Sequence, residues 1–362
     1  MNNHIMIEIG HPAHVHLFKH LCWELEKKGW KVLFITQDKD CAISLLKYYR
    51  LPYLIFGVNQ KEIYKKIISL PKLTLKMIKI AQNFKPDIFF SRVSPYSGYT
   101  SFLLKKPHIT LTDTENVRLL DLISEPFATV VLTSDSYYRN HGSKQIRFPG
   151  YKELAYLHPN VFTPDERVLE MLEVKKGEKY AIVRFVAWNA HHDIGHKGIS
   201  YENKIKLVNT LSKHLRVFIS SETELPDELK KYKINIPPEQ MHNALAFAHL
   251  FIGESSTMAS ESAVLGTPSF YINDSQLGYT NDLAKYELLY TYTESEQDQI
   301  QAIEKAEEIA TNIYAKQELI TKRNNLLADK IDVTEFLVWF VENYPESVKE
   351  VKAKDFDFGR FK

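Results

Sequence analysis

"IMIEIGHPAHVHLFKHL", residues 5–21, joins a short apolar run, a glycine and a helix-forming stretch in direct succession. The run at 5–9 is typical of a buried strand, and the residues after the glycine have helical periodicity as far as about residue 28. A strand that passes directly into a helix predicts a parallel sheet covered by helices. Four of the twelve residues at 10–21 are histidines, and their chemistry needs an explanation of its own.

The same alternation of β-rich runs and helical patterns continues through the chain. Further strands are predicted at 31–35, 87–90, 108–111 and 128–132, and then at 180–185, 215–220, 249–253 and 268–272. Three prolines and no clear period mark a join at 149–165. We therefore predict an α/β protein of two doubly wound Rossmann-like domains, with boundaries at 1–155 and 156–330. A C-terminal helix and tail at 331–362 should pack back on the first domain.

Composition excludes several functional classes. Lys and Arg number 46 against 45 Asp and Glu, so no basic field directs the chain to nucleic acid. Cys22 and Cys41 form neither a CxxC pair nor a zinc ligand set, which favours a reducing, cytoplasmic compartment. The sequence has no signal-peptide pattern and no run of about eighteen apolar residues, so we expect no membrane-spanning segment.

One segment, 61–85, departs from this even charge balance, because it has seven lysines, one glutamate and interleaved Ile, Leu and Met. It could form two helices, separated by a break, with a solvated lysine face. Alternatively, it could form a basic amphipathic surface that contacts anionic lipid at the inner face of the membrane.

A candidate anion site follows the predicted strand that ends at Gly253. Ser255, Ser256 and Thr257 lie at the start of the next helix, whose free N–H groups and positive dipole end attract phosphate. The simpler alternative is that Ser255 or Ser256 only caps the helix. Glu261, about one turn further on, could accept hydrogen bonds from both ribose hydroxyls of a nucleotide.

His14 is the candidate catalytic base of the first domain, because imidazole titrates near neutral pH and a helix N-terminus disfavours its charged form. His11 and His16 should shape its loop. The histidine spacing does not match a helical zinc pair, which makes a metal site less favoured. Asp113 follows another strand end and could orient His14, although it could equally cap the helix that follows.

A third polar stretch, 183–200, follows the first strand of the second domain. Arg184, His191 and Lys197 could neutralise a phosphate or diphosphate. The alternative is a metal site formed by the side chains of His191, His192, Asp193 and His196.

These motifs together resemble the GT-B superfamily of nucleotide-sugar enzymes. More narrowly, the chain resembles a GT-B-like family of unknown function from bacteria and archaea that is related to the UDP-GlcNAc 2-epimerases. The resemblance is based on "HPAHVHLFKHL", "FKPDIFFSRVSP", "FPGYKELAYLHP", "WNAHHDIGHKGIS" and "ESSTMASESAVLGTP".

The resemblance implies two domains that face a central cleft and assigns roles to several residues. His14 would be the base, and Asp113 would orient it. Glu254, Ser255, Ser256 and Thr257 stand where the epimerases have ESGG, and Glu261 matches their ribose-binding glutamate. The paired glycines of ESGG are missing here, so the backbone cannot approach a diphosphate in the same way. The acidic runs of the epimerase first domain are also absent, which favours glycosyl transfer over epimerisation.

The sequence thus predicts a glycosyltransferase that uses a nucleotide-diphosphate sugar donor, inverts the sugar carbon and needs no metal or other cofactor. Its acceptor would be a glycan or a lipid-linked molecule in cell-surface polysaccharide or glycolipid biosynthesis. A nucleotide-sugar 2-epimerase or hydrolase remains an alternative, and so does a non-catalytic nucleotide-sugar-binding protein.

Overall fold

The computed structural model describes residues 3–38, 40–60, 62–116, 122–186 and 198–362. The chain divides into two compact units. Unit 1 consists of Met1–Tyr156 together with Ile331–Lys362, and unit 2 consists of Leu157–Lys330. The tail therefore belongs to the same compact unit as the N-terminal residues.

The described part of unit 1 forms one parallel sheet. Its strands are β1 (His4–Ile9), β2 (Lys31–Asp38), β3 (Tyr53–Val58), β4 (Ile88–Arg92), β5 (His108–Thr112), β6 (Val130–Ser134) and β7 (Gln145–Phe148). The strand order is β3-β2-β1-β4-β5-β6-β7. The helices are α1 (Pro12–Lys27), α2 (Asp40–Tyr48), α3 (Ile63–Phe84), α4 (Pro95–Leu103) and α5 (Leu154–Leu157), the last of which leads into unit 2.

Unit 2 holds a smaller parallel sheet in its described residues. Its strands are β8 (Tyr180–Phe185), β9 (Arg216–Ser221), β10 (Leu250–Gly253), β11 (Ser269–Ile272) and β12 (Leu289–Tyr292), in the order β12-β11-β10-β8-β9. Its helices are α6 (Arg167–Met171), α7 (Tyr201–Leu211), α8 (Met241–Phe247), α9 (Ser256–Leu265), α10 (Gly278–Lys285), α11 (Glu296–Thr311) and α12 (Ala315–Asp329).

The tail adds two helices to unit 1, α13 (Val333–Glu342) and α14 (Glu346–Lys352). Phe336 and Phe340 of α13 are fully buried, and α13 packs against α1. The Trp339 ring contacts Phe361, so the end of the chain folds back on the same helix. This aromatic packing explains why the tail is part of unit 1.

The order of the strands reverses once in each sheet, and this fixes where ligands can bind. In unit 1 the chain moves outward from β1 through β2 to β3 and then returns to place β4 on the other side of β1. In unit 2 the same reversal occurs between β8 and β10. In open parallel sheets, a crevice forms at the carboxyl ends of the two strands that flank such a reversal.

The predicted α/β architecture of two parallel sheets is confirmed, and every predicted strand is present. The sequence analysis missed three strands: β3, β7 and β12. Each is an edge strand of its sheet. In β7 and β12, polar residues interrupt the apolar pattern within a run of only four residues, whereas β3 is an apolar run that is interrupted only by Gly57.

The predicted break in the lysine-rich segment is wrong. Residues 63–84 form one helix, α3, with Pro71 inside it. The chain continues through Pro71 because Leu73, Met77 and Ala81 are buried in the core of unit 1, and this packing offsets the cost of the proline. Among the described residues, no helix is long and apolar enough to cross a membrane.

Candidate functional site

The first helix places His14 at the reversal point of unit 1. Pro12 occupies the first helical position, and the His11 side chain caps the helix by accepting a hydrogen bond from the Ala13 N–H at 3.2 Å. His14 lies in the first turn, where its Nδ1 is 3.2 Å from the Gly10 backbone nitrogen. A backbone N–H can only donate, so Nδ1 is unprotonated and the neutral ring carries its proton on Nε2.

The surroundings of His14 keep its ring neutral. Burial lowers the pKa of His14 well below the usual 6.5, and the positive charge of Arg92 and the neighbouring His11 lower it further. Asp113 acts in the opposite direction but does not outweigh these effects. At neutral pH the imidazole therefore has one lone pair, on Nδ1, and one N–H donor, on Nε2.

Asp113 does not orient His14 as the sequence analysis predicted. Its carboxylate accepts hydrogen bonds from the Arg92 guanidinium and the Lys152 ammonium, and from Thr114 Oγ1 at 3.0 Å. The described residues include no hydrogen bond between Asp113 and His14. Two cations, Arg92 at the end of the neighbouring strand β4 and Lys152 shortly after β7, are stronger partners for a carboxylate than a neutral imidazole.

Electrostatics holds Asp113 in its charged form. Burial alone would raise the pKa of this carboxyl, but Arg92 and Lys152 outweigh burial and lower the pKa. Lys152 also lies 3.1 Å from Glu153, so it is shared between two carboxylates. The effect of Asp113 on His14 is therefore electrostatic, because its negative charge raises the pKa of the imidazole.

Sequence reasoning missed the group around Glu8. This carboxylate is near the end of β1 and is 7% exposed. It accepts hydrogen bonds from the Ser94 hydroxyl at 2.6 Å and from the backbone N–H and the hydroxyl of Ser97. Burial raises its pKa, and the serine hydrogen bonds lower it in part. The available signal was a charged residue inside the apolar run at 5–9.

Two other histidines of the opening motif pack against aromatic rings. The His16 ring lies 5.8 Å from the rings of both Tyr49 and Tyr156. The His20 ring contacts Trp23 at 5.0 Å, and burial lowers the pKa of His20 to about 3. Both side chains have a structural role, and among the four histidines only His14 and His11 line the end of β1.

In unit 2, helix α9 begins at the reversal point, directly after β10. Ser255 caps it, because its Oγ accepts from the Met258 N–H at 3.4 Å. The N–H groups of Ser256 and Thr257 have no partner inside the helix, as is general for a first turn. Ser255, Ser256 and Thr257 are half-buried. The Ser255 hydroxyl is used by the cap and the Ser256 hydroxyl bonds to the Tyr271 side chain, so this helix start offers an anion mainly the N–H groups of its first turn and the Thr257 hydroxyl.

Glu254 is directed to the protein backbone. It is buried, and its carboxylate accepts from the Val186 N–H and the Ile199 N–H, both at 2.6 Å. Lys204 lies 3.5 Å away. Glu254 thus links the backbone at Val186 to the backbone at Ile199, and its predicted contact with the nucleotide stays a prediction.

Glu261 is also committed to a protein partner. It is 4% exposed, and its Oε1 lies 3.0 Å from Nε2 of His242 in α8. The His242 ring in turn contacts Phe162. The residue is on the face of α9 that packs against α8, so the predicted ribose contact would require this buried pair to open.

Arg184, at the end of β8, is paired within its own sheet. Its guanidinium donates to Ser220 Oγ at 2.8 Å and to the Glu222 carboxylate. Its backbone lies against Gly253, where an added Cβ would be 2.5 Å from the Arg184 carbonyl oxygen. Arg184 is therefore next to the start of α9, although its charge is partly neutralised by Glu222.

The remaining predicted contacts fall on 187–197. His191 and Lys197 lie outside the described residues, and so do all four candidate metal ligands, His191, His192, Asp193 and His196. Within the described ranges, no three His, Cys, Asp or Glu side chains are grouped closely enough to hold a metal ion.

Comparison with known proteins gives a family and a fold. A family profile described as "Protein of unknown function (DUF354)" matches residues 3–334. No curated protein matches the sequence significantly.

Among solved structures, the complex of S. aureus MnaA with UDP is 13% identical and has a TM-score of 0.70, with 99% of this chain and 100% of that chain covered. A UDP-N-acetylglucosamine 2-epimerase is 13% identical with a TM-score of 0.63, and the match covers 94% of this chain and 96% of that chain. The spinosyn rhamnosyltransferase SpnG is 14% identical with a TM-score of 0.62, at 94% and 100% coverage. At such identities the likeness shows a shared fold, the GT-B fold of glycosyltransferases and UDP-GlcNAc 2-epimerases.

Proposed function

The chain belongs to the family described as protein of unknown function DUF354, and from this premise we propose that it is a glycosyltransferase with a nucleotide-diphosphate sugar donor. The observation that carries the proposal is the position of the polar groups. In both units they lie at the carboxyl ends of the strands where the strand order reverses, which is where open parallel sheets bind ligands.

The donor would bind to unit 2 at the start of α9. The N–H groups of the first turn and the hydroxyls of Ser256 and Thr257 would donate hydrogen bonds to the diphosphate. The positive end of the helix dipole would stabilise its negative charge. Donors fixed in this way favour departure of the nucleotide diphosphate, because they stabilise charge that develops as the sugar bond breaks. This arrangement would operate without a metal ion.

In unit 1, His14 would be the base that takes the proton of the acceptor hydroxyl. In the proposed inverting displacement, the acceptor hydroxyl attacks the sugar carbon, its proton passes to His14, and the nucleotide diphosphate leaves. The neutral state of the ring supports this role. Since Nδ1 carries the lone pair, the acceptor hydroxyl would replace the Gly10 N–H at this atom, or the ring would turn.

A nucleotide-sugar 2-epimerase or hydrolase is the second candidate. It is favoured by the similarity of the fold to a UDP-N-acetylglucosamine 2-epimerase and to a protein solved with UDP. Such an enzyme needs no acceptor. In the neutral tautomer described above, Nε2–H of His14 would then serve as a hydrogen-bond donor to the substrate.

Thermal unfolding with UDP, GDP, dTDP and CMP tests the donor class. A nucleotide at about a hundred times its Kd should stabilise the protein by about 2.7 kcal/mol, which raises the Tm by several degrees. We expect one nucleotide to stabilise the wild type and to lose its effect in Thr257→Val. No shift with any of the four would contradict a nucleotide-sugar enzyme.

Incubation with the matching nucleotide sugar alone separates the candidates. Unchanged donor, consumed only after acceptor is added, supports the transferase. Epimerised or hydrolysed sugar supports the second candidate, and binding without turnover under either condition supports a non-catalytic nucleotide-sugar-binding protein.

For the transferase we further propose a cytoplasmic location and a glycan or lipid-linked acceptor in cell-surface polysaccharide or glycolipid biosynthesis.

A further inference from the structure

Helix α3 has an exposed apolar stripe that the fold of unit 1 does not cover. Tyr64, Ile67, Ile68 and Leu75 are between 58% and 75% exposed. Their spacing of three, four and seven residues places them on one side of the helix, in a stripe about 100° wide. Four large apolar side chains in solvent on one helix are unusual for a surface without a partner.

This exposed stripe is distinct from the face that packs on the sheet. Leu73, Met77 and Ala81 form the buried face and belong to the core of unit 1. None of the described side chains from 62 to 72 is buried. The first half of α3 therefore lies at the margin of the core, and Tyr64, Ile67 and Ile68 are left mostly in solvent.

The lysines of α3 lie beside the apolar stripe. Lys65, Lys72, Lys76 and Lys79 are exposed and occupy a second stripe, about 60° wide, whose centre is about 90° around the helix from the first. Lys65 pairs with Glu62 at 3.0 Å. Lys72, Lys76 and Lys79 make no ion pair within the described part of the chain. Their charges are thus available to an anionic partner.

The edge of the sheet next to α3 is also apolar. Gly57 of β3 lies directly against Leu73 of α3. On the same strand Leu54, Ile55 and Val58 are between 47% and 62% exposed. An exposed apolar edge is a liability in water, and a partner that covers it would remove that cost.

We propose that α3 docks on the surface of an anionic lipid bilayer, with Tyr64, Ile67, Ile68 and Leu75 in the acyl-chain boundary and the lysines at the headgroups. The adjacent stripes are the arrangement that places an amphipathic helix in the membrane plane. A protein partner would require acidic side chains in a matching line, whereas an anionic bilayer supplies negative charge everywhere. The inference is independent of the proposed function, because it concerns neither nucleotide nor turnover.

Co-sedimentation of the purified full chain with vesicles tests the proposal. We expect binding to vesicles of phosphatidylglycerol and phosphatidylcholine, little binding to pure phosphatidylcholine, and weakening when salt rises from 0.1 M to 0.5 M, since salt screens charges. Replacing Lys72, Lys76 and Lys79 by Gln should lower the partition coefficient by about a hundredfold. The double variant Ile67→Ser, Ile68→Ser should also lower the partition coefficient. This loss should persist at low salt, because it removes apolar contacts and leaves the charges in place.

Matched controls come from unit 2. Lys206, Lys213 and Lys233 are exposed, and their replacement by Gln removes the same charge. Ile313→Ser removes an equally exposed isoleucine. Both controls should bind vesicles as the wild type does. Equal loss in the controls, or no binding of the wild type to anionic vesicles, would overturn the proposal.

A different result would assign the stripe to a second copy of the chain. This result is a concentration-dependent dimer that the Ile67→Ser, Ile68→Ser variant abolishes, together with no binding to vesicles.

Discussion

At the scale of single residues, the position of one proton on His14 separates two kinds of chemistry. The Gly10 N–H donates to Nδ1, and the nearby Arg92 disfavours a second proton on the ring. Without a ligand, the neutral His14 ring therefore has a hydrogen-bond donor at Nε2 and an acceptor at Nδ1. A base and a hydrogen-bond donor would respond differently to substitution.

Replacing His14 by Ala and by Gln distinguishes these roles. Gln keeps an N–H donor near the position of Nε2 but cannot accept a proton at neutral pH. If His14 is the base, both variants should lose about a hundredfold or more in kcat/KM. If it is a donor, Gln should retain much more activity than Ala. Nucleotide binding, measured by the Tm shift, should be unchanged in both, and its loss would contradict a role confined to unit 1.

Gly253 is required because β8 and β10 lie close together at the reversal point of unit 2. An added Cβ would be 2.5 Å from the Arg184 carbonyl oxygen and 2.7 Å from the Arg184 Cβ. Gly253→Ala should therefore cost about 1–3 kcal/mol in the free energy of unfolding, as overpacking does. Urea denaturation measures this loss. Gly10→Ala is the control, since its Cβ would meet only His14 at 3.7 Å, and an equal loss there would refute the explanation.

At the scale of elements, α9 combines a structural cap with a proposed anion site. The Ser255 hydroxyl accepts a hydrogen bond from the Met258 N–H, whereas the Thr257 hydroxyl makes no hydrogen bond to the described residues. The two residues can therefore be separated by substitution, although the sequence assigned both to the nucleotide.

We expect Ser255→Ala to lower the free energy of unfolding by about 1 kcal/mol, because it removes the helix cap. Thr257→Val keeps the shape of the side chain and should leave stability nearly unchanged. Isothermal titration with the stabilising nucleotide should show weaker binding for Thr257→Val. Wild-type affinity in this variant would move the phosphate site away from the first turn of α9.

At the scale of the whole molecule, buried neutral histidines link stability to pH. Burial lowers the pKa of His20 and of His108 to about 3, whereas both should titrate near 6.5 when the chain is unfolded. Between pH 6.5 and 3 the unfolded chain thus binds more protons than the folded one, and stability is lost as the pH falls through this range. Glu8 and Glu254 have raised pKa values, so they bind protons in the folded chain at a higher pH than in the unfolded chain, and they oppose the loss above about pH 4.5.

Between pH 7 and pH 5 each of these two histidines should lower the free energy of unfolding by about 2 kcal/mol, so that together they account for a fall of about 4 kcal/mol, which the two glutamates reduce; urea denaturation measures the change. His20→Phe retains a ring against Trp23 and removes one titrating group. Its stability should depend less steeply on pH, with a slope smaller by about one bound proton. A slope equal to that of the wild type would show that His20 does not carry the effect.

The sequence by itself determined the elements that are buried on both faces. Runs such as 5–9 and 180–185 form strands inside a sheet and are apolar except for one charged residue near the end of each, Glu8 and Arg184, so the pattern is readily recognised. It also located the start of α9, because capping residues directly follow a strand and glycine. Of the four edge strands, β9 was predicted, whereas β3, β7 and β12 were missed; β7 and β12 are only four residues long and include polar residues, which weakens the pattern.

Only the tertiary structure decided which partner each polar side chain has. Asp113 could bond to His14 or to a cation, and the strand order brings Arg92 and Lys152 to it. Glu254 and Glu261 match a nucleotide-binding pattern in sequence, yet one holds two backbone N–H groups and the other pairs with His242. Buried charged groups bind the strongest partner within reach, and what lies within reach depends on strand order and helix packing, which local sequence does not encode.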